Sequence, residues 1–227
     1  MNSAGCGVVL AHARSGSSEF IRAISDAVDH GFLMEPFHRT MKEKGVDHGT
    51  PEFDAYLDGI MSSRLIKHMW NGVPLEVNST VLSHPKVSGV VFLYRRNTHL
   101  AALSAVVAQM TGKWRGKSQG DINENLPLDE IEKRAKVLFG GQKKYREWLA
   151  VNGLPHLVVA YEDIFGDGKE DAQKRVLGSA CGLFGLEMKD MGKALARLSP
   201  DEKYNTDEFY RSAPNWKEFE KRFGDCN

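Results

Sequence analysis

The sequence predicts an α/β fold of three layers, a central and mainly parallel sheet flanked by helices, and three observations carry that expectation. An apolar run, a small polar turn and a helical pattern follow one another from Val8 to Ile24. The same order recurs from Val87 to Met110, where a β-branched and aromatic run ends in Arg95-Arg96-Asn97 and continues into an alanine- and leucine-rich segment. A third apolar run, Leu157 to Tyr161, precedes a further helical segment from about Glu170 to Phe184. Such strands are those of a parallel sheet covered on both faces by helices. With 227 residues the chain can bury a full core as one domain spanning 1–227.

Taken in order, Val8 to Ala11 is the first strand and Glu19 to Ile24 opens the first helix. The turn between them, Arg14-Ser15-Gly16-Ser17-Ser18, has two readings. The first N–H groups of a helix lack intrahelical acceptors and, with the positive end of the helix dipole, cradle phosphate or sulfate oxygens. Gly16 lets backbone approach an anion, and Arg14, Ser15, Ser17 and Ser18 add donors. Alternatively, Ser17 or Ser18 is simply an N-cap with Glu19 in the first turn. No Gly-Lys-Ser/Thr follows, so the turn is not that of the nucleoside triphosphatases.

Gly31 to Phe37 predicts a second strand that ends at Glu35, because a residue before proline is driven to extended geometry. A carboxylate there is either an exposed turn residue or a group beside the ligand crevice at the strand ends. The polar stretch from Met41 to Pro51 reads as a surface loop. Phe53, Tyr56, Leu57, Ile60, Met61, Leu65, Ile66 and Met69 recur at three-four spacing and predict a helix over about 52–69, with Lys67, His68 and Trp70 at its end. Val87 to Tyr94 is a buried strand, and Thr98 to Met110 a helix capped by Asn97 or Thr98. Thr111 to Gly120 mixes glycine, cations and Trp114; it is a binding loop or a solvated basic one. Pro127 to Val151 reads as a long scaffold helix. The tail carries Tyr204, Phe209, Tyr210, Trp216, Phe219 and Phe223, aromatic enough to fold back on the domain.

Thirty Lys and Arg balance thirty Asp and Glu, and without a basic block the chain is not expected to bind nucleic acid. The three cysteines show neither disulfide nor zinc spacing and are expected to be free thiols. No leader pattern and no bilayer-long apolar run appears, so the expectation is a cytoplasmic protein without a transmembrane segment.

Two strand-to-helix turns, the second carrying Arg96 and, eight residues on, Ser104, suit one ligand with two anionic groups. Here the chain resembles the sulfotransferases that use 3′-phosphoadenosine 5′-phosphosulfate (PAPS). The bacterial carbohydrate branch, of trehalose and nodulation-factor type, is the most similar. The resemblance runs through Ala13 to Ser18, Glu35-Pro36-Phe37, Ile66-Lys67-His68, Leu93 to Asn97 with Ser104, Gln109 to Trp114, Tyr161-Glu162-Asp163 and, weakly, Asn215 to Phe219. It implies a P-loop-like version of the three-layer fold, with Arg14, Ser15, Gly16, Ser17 and Ser18 on the 5′-phosphosulfate and Arg96 and Ser104 on the 3′-phosphate. It further implies Glu35 as base, Lys67 supporting the leaving group, an acceptor hydroxyl on a carbohydrate, glycolipid or other small molecule, no metal, and a homodimer. His12 and His38 are alternative bases, and His38 and Trp114, within the acceptor loops 38–51 and 111–126, are expected with Glu35 to bind the acceptor. The basic Arg-Lys-Gly loop of many animal members is absent. A P-loop-like nucleotide kinase and a non-catalytic nucleotide-binding protein are the competing readings, although a kinase calls for a lysine in the first turn.

Overall fold

The computed structural model describes residues 5–114, 120–199 and 207–224, apart from the side chains at 39, 40, 42 and 207. The basic segment 115–119, Tyr204 and Cys226 therefore lie outside the described residues. The sheet has five strands in the order β2-β3-β1-β4-β5, and every pairing is parallel. These are β1 (Cys6–Ala11), β2 (Leu33–Met34), β3 (Leu65–Met69), β4 (Val87–Tyr94) and β5 (His156–Ala160).

Successive residues of a strand point to opposite faces, and both faces are covered. On one side Val9, Ala11, Val91 and Leu93 pack against α1 (Ser17–Val28), α8 (Glu170–Phe184) and α9 (Met191–Arg197). On the other, Val8, Leu10, Val90 and Phe92 meet α3 (Pro51–Ile60), α4 (Leu75–Leu82), α5 (Thr98–Thr111) and α6 (Leu128–Val151). The tail returns to this second layer as α10 (Asp207–Arg211) and α11 (Trp216–Phe223), burying Phe209, Tyr210, Trp216 and Phe219. The three-layer α/β expectation is thus met. Gly7 and Gly89 are register partners on β1 and β4. A Cβ on Gly7 would lie 2.5 Å from the Phe184 ring and one on Gly89 2.7 Å from Leu183, so the two glycines let α8 seat closely on the sheet.

Four local expectations are corrected. The helix at 52–69 stops at Ile60, and Leu65 to Met69 is the inner strand β3. A strand buried on both faces shows no alternation, so its apolar residues extended the helical pattern before them. The second strand ends at Met34, because Glu35 adopts a left-handed conformation (φ 52°, ψ 48°) despite the proline after it. The stretch after it is partly helical, with a wide turn at Pro36–Thr40 and α2 (Met41–Glu43). Tyr161 leaves the fifth strand and starts the short helix α7 (Tyr161–Ile164). Helix α4 had no distinct pattern in the sequence.

Cys6 and Cys181 are buried free thiols, and burial pushes them up to about 12 and about 11. Among the described residues no helix is long and apolar enough to cross a membrane.

Candidate functional site

The chain leaves β1 toward β2 on one side of the sheet, while β4 and β5 lie on the other, so the order reverses at β1. In open α/β sheets the crevice beyond the carboxyl ends of the strands at such a reversal is where ligands bind. The first turn lies there. Arg14 (φ 67°) and Gly16 (φ 77°) are both left-handed, and the Ser15 hydroxyl donates to the His12 carbonyl at 2.7 Å. Gly16 is the N-cap and accepts from the N–H groups of Glu19 and Phe20 through its carbonyl, at 3.1 and 3.0 Å. Neither serine is the cap: Ser17 and Ser18 are the first helical residues, and their N–H groups have no intrahelical acceptor. A Cβ on Gly16 would sit 2.5 Å from the ring of Phe165 and 2.9 Å from that of Tyr161, so glycine is needed here for packing as well as for its φ.

The Arg14 Nε donates to the buried Ser104 hydroxyl at 2.8 Å, and its Nη1 to the Trp114 carbonyl at 3.0 Å. Arg14 thereby ties the first turn to α5 and to the loop after it. The Trp114 side chain is half exposed.

Just past the end of β2, beside the middle of β3, the Glu35 N–H donates to the Lys67 carbonyl at 2.9 Å. Lys67 is 3% exposed, and its ammonium donates to Glu35 Oε1 at 2.5 Å and to Ser18 Oγ at 3.0 Å. The Lys67 side chain shares the sheet face of Leu65, the face covered by α1, which is why it reaches Ser18. The result is a charge-assisted bridge from a carboxylate to the first turn of a helix. His38 follows on the turn after Glu35, exposed, its ring lying against Gly72.

The second turn is already furnished with anions. Both oxygens of the Glu162 carboxylate accept from backbone, from Arg96 N–H at 3.0 Å and from Asn97 N–H at 3.2 Å. Asn97 caps α5 by accepting from Leu100 N–H. The half-exposed Arg96 side chain donates to Asp163 at 2.7 Å, and that hydrogen bond raises its pKa further. Arg96 and Ser104 therefore have separate partners, Asp163 and Arg14. Arg95 stacks over the Tyr161 ring at 4.5 Å, and its Nε is buried without a hydrogen-bond partner among the described residues.

His12 is fully buried with both ring nitrogens engaged, Nδ1 with the Ala13 carbonyl at 2.7 Å and Nε2 with the Gln142 amide at 3.1 Å. Burial pulls its pKa down to about 4, so the ring is neutral, held without exposed surface and with both nitrogens engaged. His68 is similar: buried, bonded to Asn78 Oδ1 at 2.6 Å, its pKa pulled down to about 4 by burial. Asn78 in turn donates to the Tyr145 hydroxyl at 2.7 Å and the Trp70 carbonyl at 2.9 Å. Sequence reasoning passed over Gln142, Asn78 and Arg95. A lone amide on a scaffold helix carries no pattern, although Arg95 stood beside the arginine that was singled out. The sequence matches no protein-family model and no curated protein, so the reading of the site rests on its own chemistry.

Proposed function

We propose that this chain is a sulfotransferase that moves the sulfonate group of PAPS to a hydroxyl of a carbohydrate, glycolipid or other small-molecule acceptor by in-line displacement. The observation that carries the reading is the bridge from Glu35 through Lys67 to Ser18, which joins a candidate base to an anion-binding helix start. The donors present also fit a ligand with two anionic groups. At the first turn these are the N–H groups of Ser17 and Ser18 and the Arg14 guanidinium; near the second is Arg95, whose buried Nε has no hydrogen bond and lies 3.9 Å from a Glu162 carboxylate oxygen. Arg96 and Ser104, given to the 3′-phosphate by resemblance, would take it by exchanging Asp163 and by sharing Arg14.

When bound, PAPS supplies a sulfonate on a phosphate leaving group. Glu35 takes the proton of the acceptor hydroxyl as its oxygen bonds to sulfur and the bond from sulfur to the phosphate oxygen breaks. Lys67 holds that carboxylate in place from below, and Arg14 with the Ser17 and Ser18 amides stabilises charge on the departing phosphate. The setting we propose is the cytoplasm, where buried unpaired thiols such as Cys6 and Cys181 persist.

The test is calorimetric titration with 3′-phosphoadenosine 5′-phosphate, adenosine 5′-phosphate and ATP, beside sulfonation of a panel of sugar and glycolipid hydroxyls. The bisphosphate is expected to bind best, and Glu35→Gln to keep that affinity while transfer falls ~10²–10⁴-fold. Equal binding of all three, or a preference for ATP, rejects the sulfotransferase reading. Unchanged transfer in Glu35→Gln rejects the base.

A further inference from the structure

β1 and β4 run side by side up to the pair Ala11 and Leu93, and beyond it their chains part. One enters the turn His12 to Gly16 and the helix α1 on one face; the other enters Arg95 to Asn97 and α5 on the opposite face. A buried side chain spans the gap. Gln142, 6% exposed on α6, donates through Nε2 to the Arg95 carbonyl at 3.0 Å and faces His12 Nε2 at 3.1 Å. A carbonyl can only accept, so the amide nitrogen must be the atom that faces Arg95. His12 Nε2 must then accept as well, with its ring proton on Nδ1, where it donates to the Ala13 carbonyl at 2.7 Å. The His12 carbonyl accepts the Ser15 hydroxyl, which closes the first turn. Both amide hydrogens of Gln142 are spent, one on each turn.

We infer that Gln142 is a positioning residue that fixes the separation of the two anion-binding turns. It thereby selects a nucleotide with phosphates at both ends of the ribose over one with a single phosphate. The inference rests on the proposed assignment of the two turns to the 5′ and 3′ groups of PAPS. Two anchors held at the wrong spacing cannot both be engaged by one rigid ligand, and a misplacement of about 1 Å can cost ~10²-fold.

The experiment compares 3′-phosphoadenosine 5′-phosphate with adenosine 5′-phosphate by calorimetry on the wild type, Gln142→Glu and Gln142→Met. Neither replacement can donate to both the Arg95 carbonyl and His12 Nε2, since methionine has no donor and a glutamic acid has at most one. The bisphosphate advantage is expected to shrink at least about tenfold in both variants while affinity for the monophosphate stays close to wild type. A loss of overall stability alone would weaken both ligands together and leave their ratio unmoved. An unchanged ratio in a folded variant overturns the role of Gln142 and leaves the sulfotransferase reading standing. No bisphosphate advantage in the wild type overturns that reading and the inference with it. If neither variant folds, nitrogen NMR of the unmodified protein decides the bridge: a His12 ring protonated on Nε2 rather than Nδ1 overturns it.

Discussion

Lys67 is a cation 3% exposed inside the sheet, and such a group is tolerable only with partners. It has Glu35 and Ser18 within hydrogen-bond distance. Replacing it by methionine keeps most of its volume and removes the charge, which frees Glu35 from its anchor. Because Glu35 retains a quarter of its side-chain exposure, the cost is set below that of a fully buried pair. Lys67→Met is expected to destabilise the fold by roughly 1–3 kcal/mol and to lower transfer while nucleotide still binds. Urea unfolding and the transfer assay check the two halves separately. Glu35 was legible in the sequence only as an exposed turn residue or a group beside the crevice, its part as base coming from the resemblance alone. Its partnership with Lys67 was not, since the helix expected over 52–69 set the lysine on the wrong kind of element.

The first turn is an element whose shape depends on two left-handed residues in close succession, Arg14 and Gly16. Gly16→Ala adds the conformational cost of a Cβ at φ 77° and forces the overlap with Phe165. It is expected to lower stability by about 2–4 kcal/mol, read from the urea midpoint. Trimming the ring in the Gly16→Ala/Phe165→Leu double variant should recover the overlap part and not the φ part. A fully additive loss would mean that the ring and the glycine do not compete for one space. At this scale β1, β4, α5, α6 and α8 were legible, because each is long or strongly patterned. β3 and α4 were not: β3 is short, buried on both faces and preceded by residues in helical register.

The whole molecule carries two buried neutral histidines, His12 and His68, each with a pKa pulled down to about 4 from an ordinary 6.5. Between these values the unfolded chain binds protons that the folded chain does not, so stability must fall as pH drops through that window. Each histidine contributes up to about 3 kcal/mol of that loss, which is absent above pH 6.5 and complete near pH 4. The urea midpoint measured at pH 7, 5.5 and 4.5 should therefore decline steadily, and His68→Asn should flatten the decline. A midpoint constant across that range contradicts the burial of these rings in their neutral form.

The sequence by itself determined the class of fold, the strand-turn-helix at Val8 to Ile24, its repeat at Val87 to Met110 and the aromatic tail that folds back. These are written in local pattern, since an apolar run, a turn and a helical stripe each need only neighbouring residues to be recognised. Tertiary structure alone decided the partners. It set Lys67 beneath Glu35, gave Ser104 to Arg14, matched Arg96 with Asp163, and stretched Gln142 between His12 and Arg95. Each of these contacts joins residues far apart in the chain, through charges and amides that have no period. Only the packing of helices onto a twisted sheet brings them within the ~3 Å at which a hydrogen bond forms.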